Sequence, residues 1–186
     1  LPGLRHSHGR HAKTGDRQGQ STLNPERPSC LVLGMGNILL EDEGLGIRAL
    51  ELLQRQYDFP AEVELLDGGT TGMGLLDEIS RREHVLILDA VQTGDPPGTL
   101  KVLRDQEVPV YFGIRITPHQ LGLSDVLATL ELTGEQPGSV TVLGIVPESL
   151  ELSLDVSERI QGRLSELVAA TVDELADLGF RPEPRD

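Results

Sequence analysis

From Cys30 onward the chain alternates short apolar runs with longer amphipathic stretches. Residues 31–33 are a compact apolar run, residues 62–67 alternate apolar and acidic side chains, and residues 84–91 form the most continuous apolar run. Compact runs are typical of buried strands, and strict alternation is typical of a half-exposed strand. We therefore predict strands over residues 30–33, 62–67, 84–91 and 140–146, with further strands over residues 99–103 and 108–114.

Between these runs, apolar residues recur every three or four positions, which is the spacing of one helix face. In the last such stretch, Asp155 and Glu158 have the spacing of a capping box and Gly179 would end the helix. Its predicted apolar face comprises Ile160, Leu164, Leu167, Val168, Thr171, Leu175 and Leu178. The pattern predicts helices over residues 43–57, from 70 or 71 to 83, over 124–132 and from 155 to 178.

This alternation of strands and helices predicts a three-layer α/β/α sandwich around a mainly parallel sheet. We expect a single domain over residues 30–180. Residues 1–29 have no apolar periodicity and are rich in Gly, Pro, Ser, Gln and basic side chains, so we expect a disordered extension there. Residues 181–186 would form a short C-terminal tail.

The formal charge of −14 is divided unevenly along the chain. Residues 1–30 contribute +3 and the remaining residues contribute −17. A body this acidic repels phosphate backbones, so we expect no nucleic acid partner. The charge would suit a cationic or metal-bearing partner, although solubility alone explains it equally well.

Cysteine usage and hydropathy indicate the compartment. Cys30 is the only cysteine, which excludes an internal disulfide and suggests a reducing environment. No apolar run approaches the roughly 18 residues that a membrane helix needs, and no signal-peptide pattern opens the sequence. We expect a cytoplasmic monomer without membrane insertion.

Acidic and imidazole side chains follow the predicted strands, at the edge where parallel sheets bind ligands. Glu43 follows the first strand, Asp67 ends the second, Asp89 interrupts the end of the third, and His119 lies on a later loop. Two carboxylates and an imidazole supply O, O and N ligands to a borderline divalent ion such as nickel or zinc, with positions left open. Simpler interpretations are an acidic helix start, a loop-capping aspartate and an exposed loop histidine.

Other binding and catalytic motifs are missing from the sequence. Gly34 and Gly36 lack the third glycine of a dinucleotide fingerprint, since Leu39 occupies its place, and there is no P-loop lysine. There is no Gly-x-Ser-x-Gly elbow, and Cys30 has no obvious histidine partner in sequence. Phosphate cradling is therefore weakly supported, and ordinary nucleophilic catalysis is unsupported.

Six segments occur in an order and at a spacing that resemble one known family, the hydrogenase maturation endopeptidases. They are GNILLEDEGLG, LLDGGTTGMGLL, LILDAV, PGTLKVLRD, TPHQLGLSDVL and LGIVPESLE. The similarity covers residues 31–152. It implies a twisted sheet of about five strands flanked by helices, of the phosphorylase/hydrolase-like type.

The resemblance also implies an activity and a partner. Family members remove a C-terminal extension from the large-subunit precursor of nickel-iron hydrogenases after nickel insertion, and they are aspartic-type peptidases whose recognition depends on nickel. The family's metal-binding and catalytic positions correspond to Glu43, Asp89 and His119. Nickel would be presented by the substrate, and zinc or cadmium could occupy the same site in vitro. Alternative functions are a non-catalytic nickel-recognising adaptor or metallochaperone, and a nucleotide-binding module.

Overall fold

The computed structural model describes residues 27–114 and 118–185, apart from the side chains of residues 112–121. The strands are β1 (Cys30–Met35), β2 (Tyr57–Asp58), β3 (Val63–Gly69), β4 (His84–Ala90), β5 (Leu100–Arg104), β6 (Ser139–Ile145) and β7 (Glu183–Pro184). The α-helices are α1 (Leu45–Gln56), α2 (Leu76–Ile79), α3 (Glu107–Ile114), α4 (Pro118–Thr133), α5 (Glu158–Gln161) and α6 (Leu164–Asp177). Two 3-10 helices cover Glu41–Gly44 and Met73–Leu75.

Five strands form the central sheet, in the order β3-β1-β4-β6-β5. The first four run parallel, and β5 is antiparallel to β6 at the edge. Because parallel neighbours need crossover connections, helices lie on both faces of this sheet. Helices α1 and α6 pack on one face, and α2, α3 and α4 pack on the other. The predicted three-layer α/β/α sandwich is confirmed.

The strands divide their side chains between the two faces. Cys30 and Val32 of β1 contact the α1 and α6 side, whereas Leu31 and Leu33 contact the other side. All four are fully buried, as expected for a central strand covered on both faces. The predicted apolar face of the last helix is also confirmed: its positions from Ile160 to Leu175 are buried against the sheet.

The prediction of a strand over residues 108–114 is wrong, since helix α3 occupies this stretch. Val108 and Tyr111, three residues apart, are both buried, while Pro109 and Val110 between them are exposed. That spacing belongs to a helix packed on one side. The Glu107 carboxylate accepts a hydrogen bond from the Arg104 amide at 3.0 Å, which fixes the turn before the helix.

Three helix boundaries also differ from their predictions. Helix α4 begins at Pro118, six residues before its predicted start. Helix α2 ends at Ile79 because the chain turns at Arg81, where φ is 58°. The last helix is divided into α5 and α6. Ser157 caps the start of α5, because its hydroxyl oxygen accepts a hydrogen bond from the Ile160 amide, and the predicted cap Asp155 does not have this role.

The segment before β1 is held to the body by arginines. Arg27 pairs with Asp77 at 2.6 Å. The buried Arg82 donates to the Pro28 carbonyl oxygen at 2.7 Å and pairs with Glu64 at 2.6 Å. The expected disordered extension over residues 1–29 lies outside the described residues except for these last three.

The residues after α6 return to the body as well. Strand β7 pairs antiparallel with β2, and the Arg185 guanidinium donates to the Asp58 carboxylate at 2.7 Å. No helix in the described part of the chain has the length and apolar character needed to cross a membrane.

Candidate active site

Two carboxylates lie where the carboxyl ends of the central strands meet. Asp89 is the penultimate residue of β4, pairs with Gly144 of β6 and is fully buried. Glu43 lies in the 3-10 helix after β1, which packs against β4, and is only 6 % exposed. The structure therefore places both predicted residues at one edge of the sheet.

Glycines let the backbone that bears Glu43 approach the strand ends. Gly36 has a φ of 124°, and a Cβ there would lie 1.8 Å from the Glu43 carbonyl oxygen. A Cβ on Gly46 would lie 2.1 Å from the Leu88 carbonyl oxygen and 2.4 Å from that of Met35. A larger side chain at Gly36 would displace the 3-10 helix, and one at Gly46 would push the start of α1 away from the strands. The glycines of GNILLEDEGLG thus bring Glu43 toward the end of β4, where Asp89 follows Leu88.

The burial of these two carboxylates has an electrostatic cost. Moving an ionised carboxylate out of water is costly unless hydrogen bonds, cations or a metal compensate it. The Asp89 carboxylate accepts a hydrogen bond from the Ala90 amide at 2.8 Å. Two acids held together at a sheet edge are suited to binding a divalent ion or to moving a proton.

The neighbouring acid Asp42 has a structural role that the sequence did not reveal. Its carboxylate is fully buried and accepts hydrogen bonds from the amides of Glu148, Ser149 and Ser157 at 2.8–3.0 Å. The Ser157 hydroxyl donates a fourth bond at 2.9 Å. Asp42 therefore fixes the β6–α5 connection to the loop that carries Glu43. These donors lie more than 100 residues later in the chain, so no local pattern indicates them.

Asp67, the other acid predicted near this edge, caps a local turn. It is exposed, and its Oδ1 accepts a hydrogen bond from the Gly69 amide at 2.9 Å. This is the geometry of an Asx turn. Asp67 thus shapes the turn after β3 and does not join the buried pair.

His119 is the second residue of helix α4, and its side chain lies outside the described residues. The start of α4 is located by a close backbone contact with the loop after β3. A Cβ on Gly122 would lie 2.5 Å from the Gly72 Cα, and a Cβ on Gly72 would lie 2.6 Å from the Gly122 Cα. This glycine contact anchors the first turns of α4 to the loop that follows β3, so that His119 belongs to a turn held at this edge.

The described residues alone contain no group of three His, Cys, Asp or Glu side chains able to hold a metal ion. The predicted triad of Glu43, Asp89 and His119 therefore remains a prediction. Its two located members are oxygen donors, and carboxylate oxygens fit a divalent cation.

A cleft of about 290 Å³ opens beside β4 and β6, at the same edge. Its lining includes Gln92, Asp95, Glu148 and Leu150. The Lys101 ammonium and the Thr93 hydroxyl bind the Asp95 carboxylate and lower its pKa, and Arg159 pairs with Glu148 at 2.8 Å. With both acids paired, the cleft offers a mixed apolar and polar surface without a strong net charge, which is suitable for a peptide.

Tyr111 is a further residue near this edge that the sequence analysis did not single out. It is buried, and its hydroxyl oxygen accepts a hydrogen bond from the Gln92 amide at 3.1 Å. Tyr111 thereby holds the segment that follows Asp89. In the sequence, Tyr111 differs from its neighbours only as a polar hydroxyl inside an apolar run. The wrong strand prediction for this run gave no reason to place that hydroxyl near Gln92.

The model of one protein family matches residues 47–174, and its description is hydrogenase maturation protease. The matched range includes Asp89 and His119 and begins four residues after Glu43.

Relatives and solved structures agree with that match. The hydrogenase 2 maturation protease of Escherichia coli is 45 % identical over 157 residues, which cover 84 % of this chain and 96 % of the relative. A solved hydrogenase maturating endopeptidase from E. coli superimposes with a TM-score of 0.81 at 44 % identity, covering 84 % of this chain and 97 % of that one. A solved hydrogenase 2 maturation peptidase from a Thaumarchaeota archaeon gives 0.62 at 32 % identity, covering 79 % and 97 %.

Proposed function

The chain belongs to the hydrogenase maturation protease family, and from this premise we propose that it removes the C-terminal extension of a nickel-iron hydrogenase large-subunit precursor after nickel insertion. Membership makes the protein a peptidase. The substrate, the position of the cut and the dependence on nickel are the proposed part.

The observation that carries this proposal is the pair of buried carboxylates, Glu43 and Asp89, at the carboxyl edge of a parallel sheet. Ligand sites of open α/β sheets lie at this edge. The fold uses closely packed glycines to bring Glu43 there, although burying an acid is unfavourable for stability. Acids at this edge, in a chain of this family, are the natural candidates for its chemistry.

The role proposed for these residues is recognition of a metal that the substrate brings. Glu43, Asp89 and His119 would complete the coordination of the nickel in the precursor and so position the neighbouring peptide bond in the cleft. A divalent ion beside that bond supplies polarisation of the carbonyl or a bound water of lowered pKa. Alternatively, one carboxylate acts as general base for water. In either case water adds to the carbonyl carbon, the C–N bond breaks and the leaving amine takes a proton.

The direct test follows the mass of nickel-loaded precursor after incubation with the protein. Loss of a C-terminal peptide is expected with the wild-type chain. Glu43→Gln, Asp89→Asn and His119→Ala should each reduce the rate by at least about a thousandfold, because the peptide bond would no longer be positioned for cutting. Unfolding free energies should stay within about 1 kcal/mol of wild type.

The matched control is Asp173→Asn, an exposed acid on helix α6, which should cut at the wild-type rate. Complex formation without any change of mass would make the protein a metal-recognising adaptor. Normal turnover by one of the three site variants would remove that residue from the site.

A second experiment asks where the metal comes from. A site of two carboxylates and one imidazole should hold nickel or zinc weakly by itself, since catalytic zinc sites have well-supported ligand sets. Metal-stripped protein is therefore expected to cut nickel-loaded precursor and to leave nickel-free precursor intact even when zinc is supplied. Efficient cutting of nickel-free precursor by zinc-supplemented protein would contradict recognition of substrate nickel.

A further inference from the structure

Large apolar side chains are exposed on two neighbouring loops beside the candidate active site. Among the described residues, five of the eight exposed large hydrophobic side chains lie on these loops. They are Ile38 (41 % exposed), Leu39 (55 %), Leu150 (38 %), Leu152 (85 %) and Leu154 (63 %). Isolated exposed leucines are ordinary, whereas a contiguous group marks an interaction site. We call these five residues the apolar platform.

The two loops of the platform are joined by backbone hydrogen bonds. The Ser153 amide donates to the Leu39 carbonyl oxygen at 3.1 Å, and the Glu41 amide donates to the Ser153 carbonyl oxygen at 3.0 Å. The buried Asp42 carboxylate adds the four bonds described above. The exposed leucines are therefore presented on an ordered backbone, which reduces the entropy lost when a partner binds.

The platform is continuous with the candidate active site. Glu41 and Asp42 belong to the same 3-10 helix as Glu43, and a Cβ on Gly44 would lie 2.9 Å from the Ile38 Cα. Leu39 precedes Glu43 by four residues, a span of at most about 15 Å along the chain. Leu150 lines both the platform and the cleft. A protein whose peptide occupies the cleft would therefore cover the platform.

Acidic side chains surround the platform. Glu151 and Asp155 lie on one of these loops, and Glu41 and Glu158 begin the helices that directly follow the two loops. Within the described part of the chain none of these four acids forms an ion pair. The nearby Arg48 and Arg159 already pair with Glu51 and Glu148. A complementary partner would present an apolar centre with lysines or arginines around it.

We propose that the apolar platform docks the folded body of the hydrogenase large-subunit precursor, through a surface that is apolar at its centre and basic at its rim. This inference rests on the proposed function and adds the surface that selects the substrate protein. The removable extension is a less suitable occupant, because a flexible tail would lose conformational entropy on ordering. The five side chains lie on an ordered surface, which suits a preformed partner.

The test compares wild-type protein with the double variant Leu152→Ser/Leu154→Ser. These are the two most exposed platform residues, so the double variant should fold normally. The matched control is Leu132→Ser, which removes an 89 % exposed leucine from the far end of α4. The double variant should raise the KM for nickel-loaded precursor at least tenfold with kcat within twofold of wild type. The control should change neither constant.

Binding is then measured separately from cutting, with nickel-free precursor and with precursor that ends at the cleavage position. Both should bind wild-type protein, and both should lose at least tenfold in Kd with the double variant. Binding of a synthetic extension peptide that depends on Leu152 and Leu154 would overturn the inference, because the tail would then be the occupant. Wild-type dimers that the double variant abolishes would also overturn it, since a second copy would then cover the platform.

The two hypotheses fail in different ways. A wild-type protein that cuts no precursor contradicts the proposed function. A wild-type protein and double variant that cut with the same KM contradict only the docking inference.

Discussion

The adjacent acids Asp42 and Glu43, in the 3-10 helix after β1, lie in different surroundings. The Asp42 carboxylate accepts hydrogen bonds from backbone amides of a loop that is distant in sequence, while Glu43 lies in a 3-10 helix that packs against β4, the strand of Asp89. A buried carboxylate that accepts four hydrogen bonds stabilises the fold through those bonds. For its neighbour Glu43 we propose the different role of metal recognition or proton transfer.

Asp42→Ala should therefore lower stability. Three amides and one hydroxyl would lose their acceptor, and each unsatisfied buried donor costs about 1–3 kcal/mol unless water replaces the carboxylate. We expect a loss of about 3 kcal/mol in the free energy of unfolding, measured by urea denaturation. Glu151→Gln, on an exposed side chain, should stay within about 0.5 kcal/mol. An equal effect of both substitutions would show that the Asp42 hydrogen bonds contribute little.

At the scale of elements, the position of α4 depends on one close contact. Gly72 and Gly122 meet backbone to backbone, which sets how closely the start of α4 lies against the loop after β3. Since His119 lies one turn before Gly122 on the same helix, a shift of this contact would also shift His119.

Gly122→Ala should reduce cutting more than it reduces folding. The new Cβ would lie 2.5 Å from the Gly72 Cα, so the helix and the loop must separate. A displacement of about 1 Å at catalytic groups can cost about a hundredfold in rate, whereas overpacking costs about 1–3 kcal/mol. We expect kcat to fall at least tenfold while the protein remains folded, measured by precursor cutting and thermal unfolding.

Gly162→Ala is the matched control, since its Cβ would meet nothing closer than 3.7 Å. It should cut normally. If Gly122→Ala cut at the wild-type rate, the glycine contact would have no part in placing His119.

The elements also show which features could be predicted from the sequence. Three of the four parallel strands were predicted from apolar runs and β3 from alternating apolar and acidic residues, and their order along the chain placed Glu43 and Asp89 at one edge. Helix α3 was mispredicted because the stretch VPVYFGI is apolar on every side, so only its packing reveals which residues are buried. The role of Asp42 depends on partners more than 100 residues away. The imidazole of His119 stays a prediction.

For the whole molecule, the three residues directly before β1 are bonded to the rest of the fold. Arg27, Pro28 and Ser29 all bond to the body: the Ser29 carbonyl oxygen accepts from the amides of Glu83 and His84 at 2.9 and 3.0 Å. The composition of residues 1–26 offers no apolar face to dock.

Two truncated proteins should therefore differ in their free energy of unfolding. Deleting residues 1–26 should leave the free energy of unfolding within about 0.5 kcal/mol and precursor cutting unchanged. Deleting residues 1–29 should cost about 2 kcal/mol, because Arg82 loses one of its acceptors and the amides of Glu83 and His84 lose theirs. Urea denaturation of the two truncated proteins decides this. Equal stabilities would show that the contacts of residues 27–29 are dispensable.

Because Cys30 is buried in the sheet, the reactivity of its thiol reports how often the sheet opens. Cys30 is the only cysteine, lies in β1 between β3 and β4, and has a pKa raised by burial to about 12. A thiol reagent can react only with molecules in which the sheet has opened, so the labelling rate at pH 8 measures how often that happens. For a domain of ordinary stability, labelling should be more than a thousandfold slower than for the urea-unfolded chain.

Because the unfolded thiol ionises near 8.5 and the folded one does not, the sheet should open more readily as the pH rises from about 8.5 toward 12.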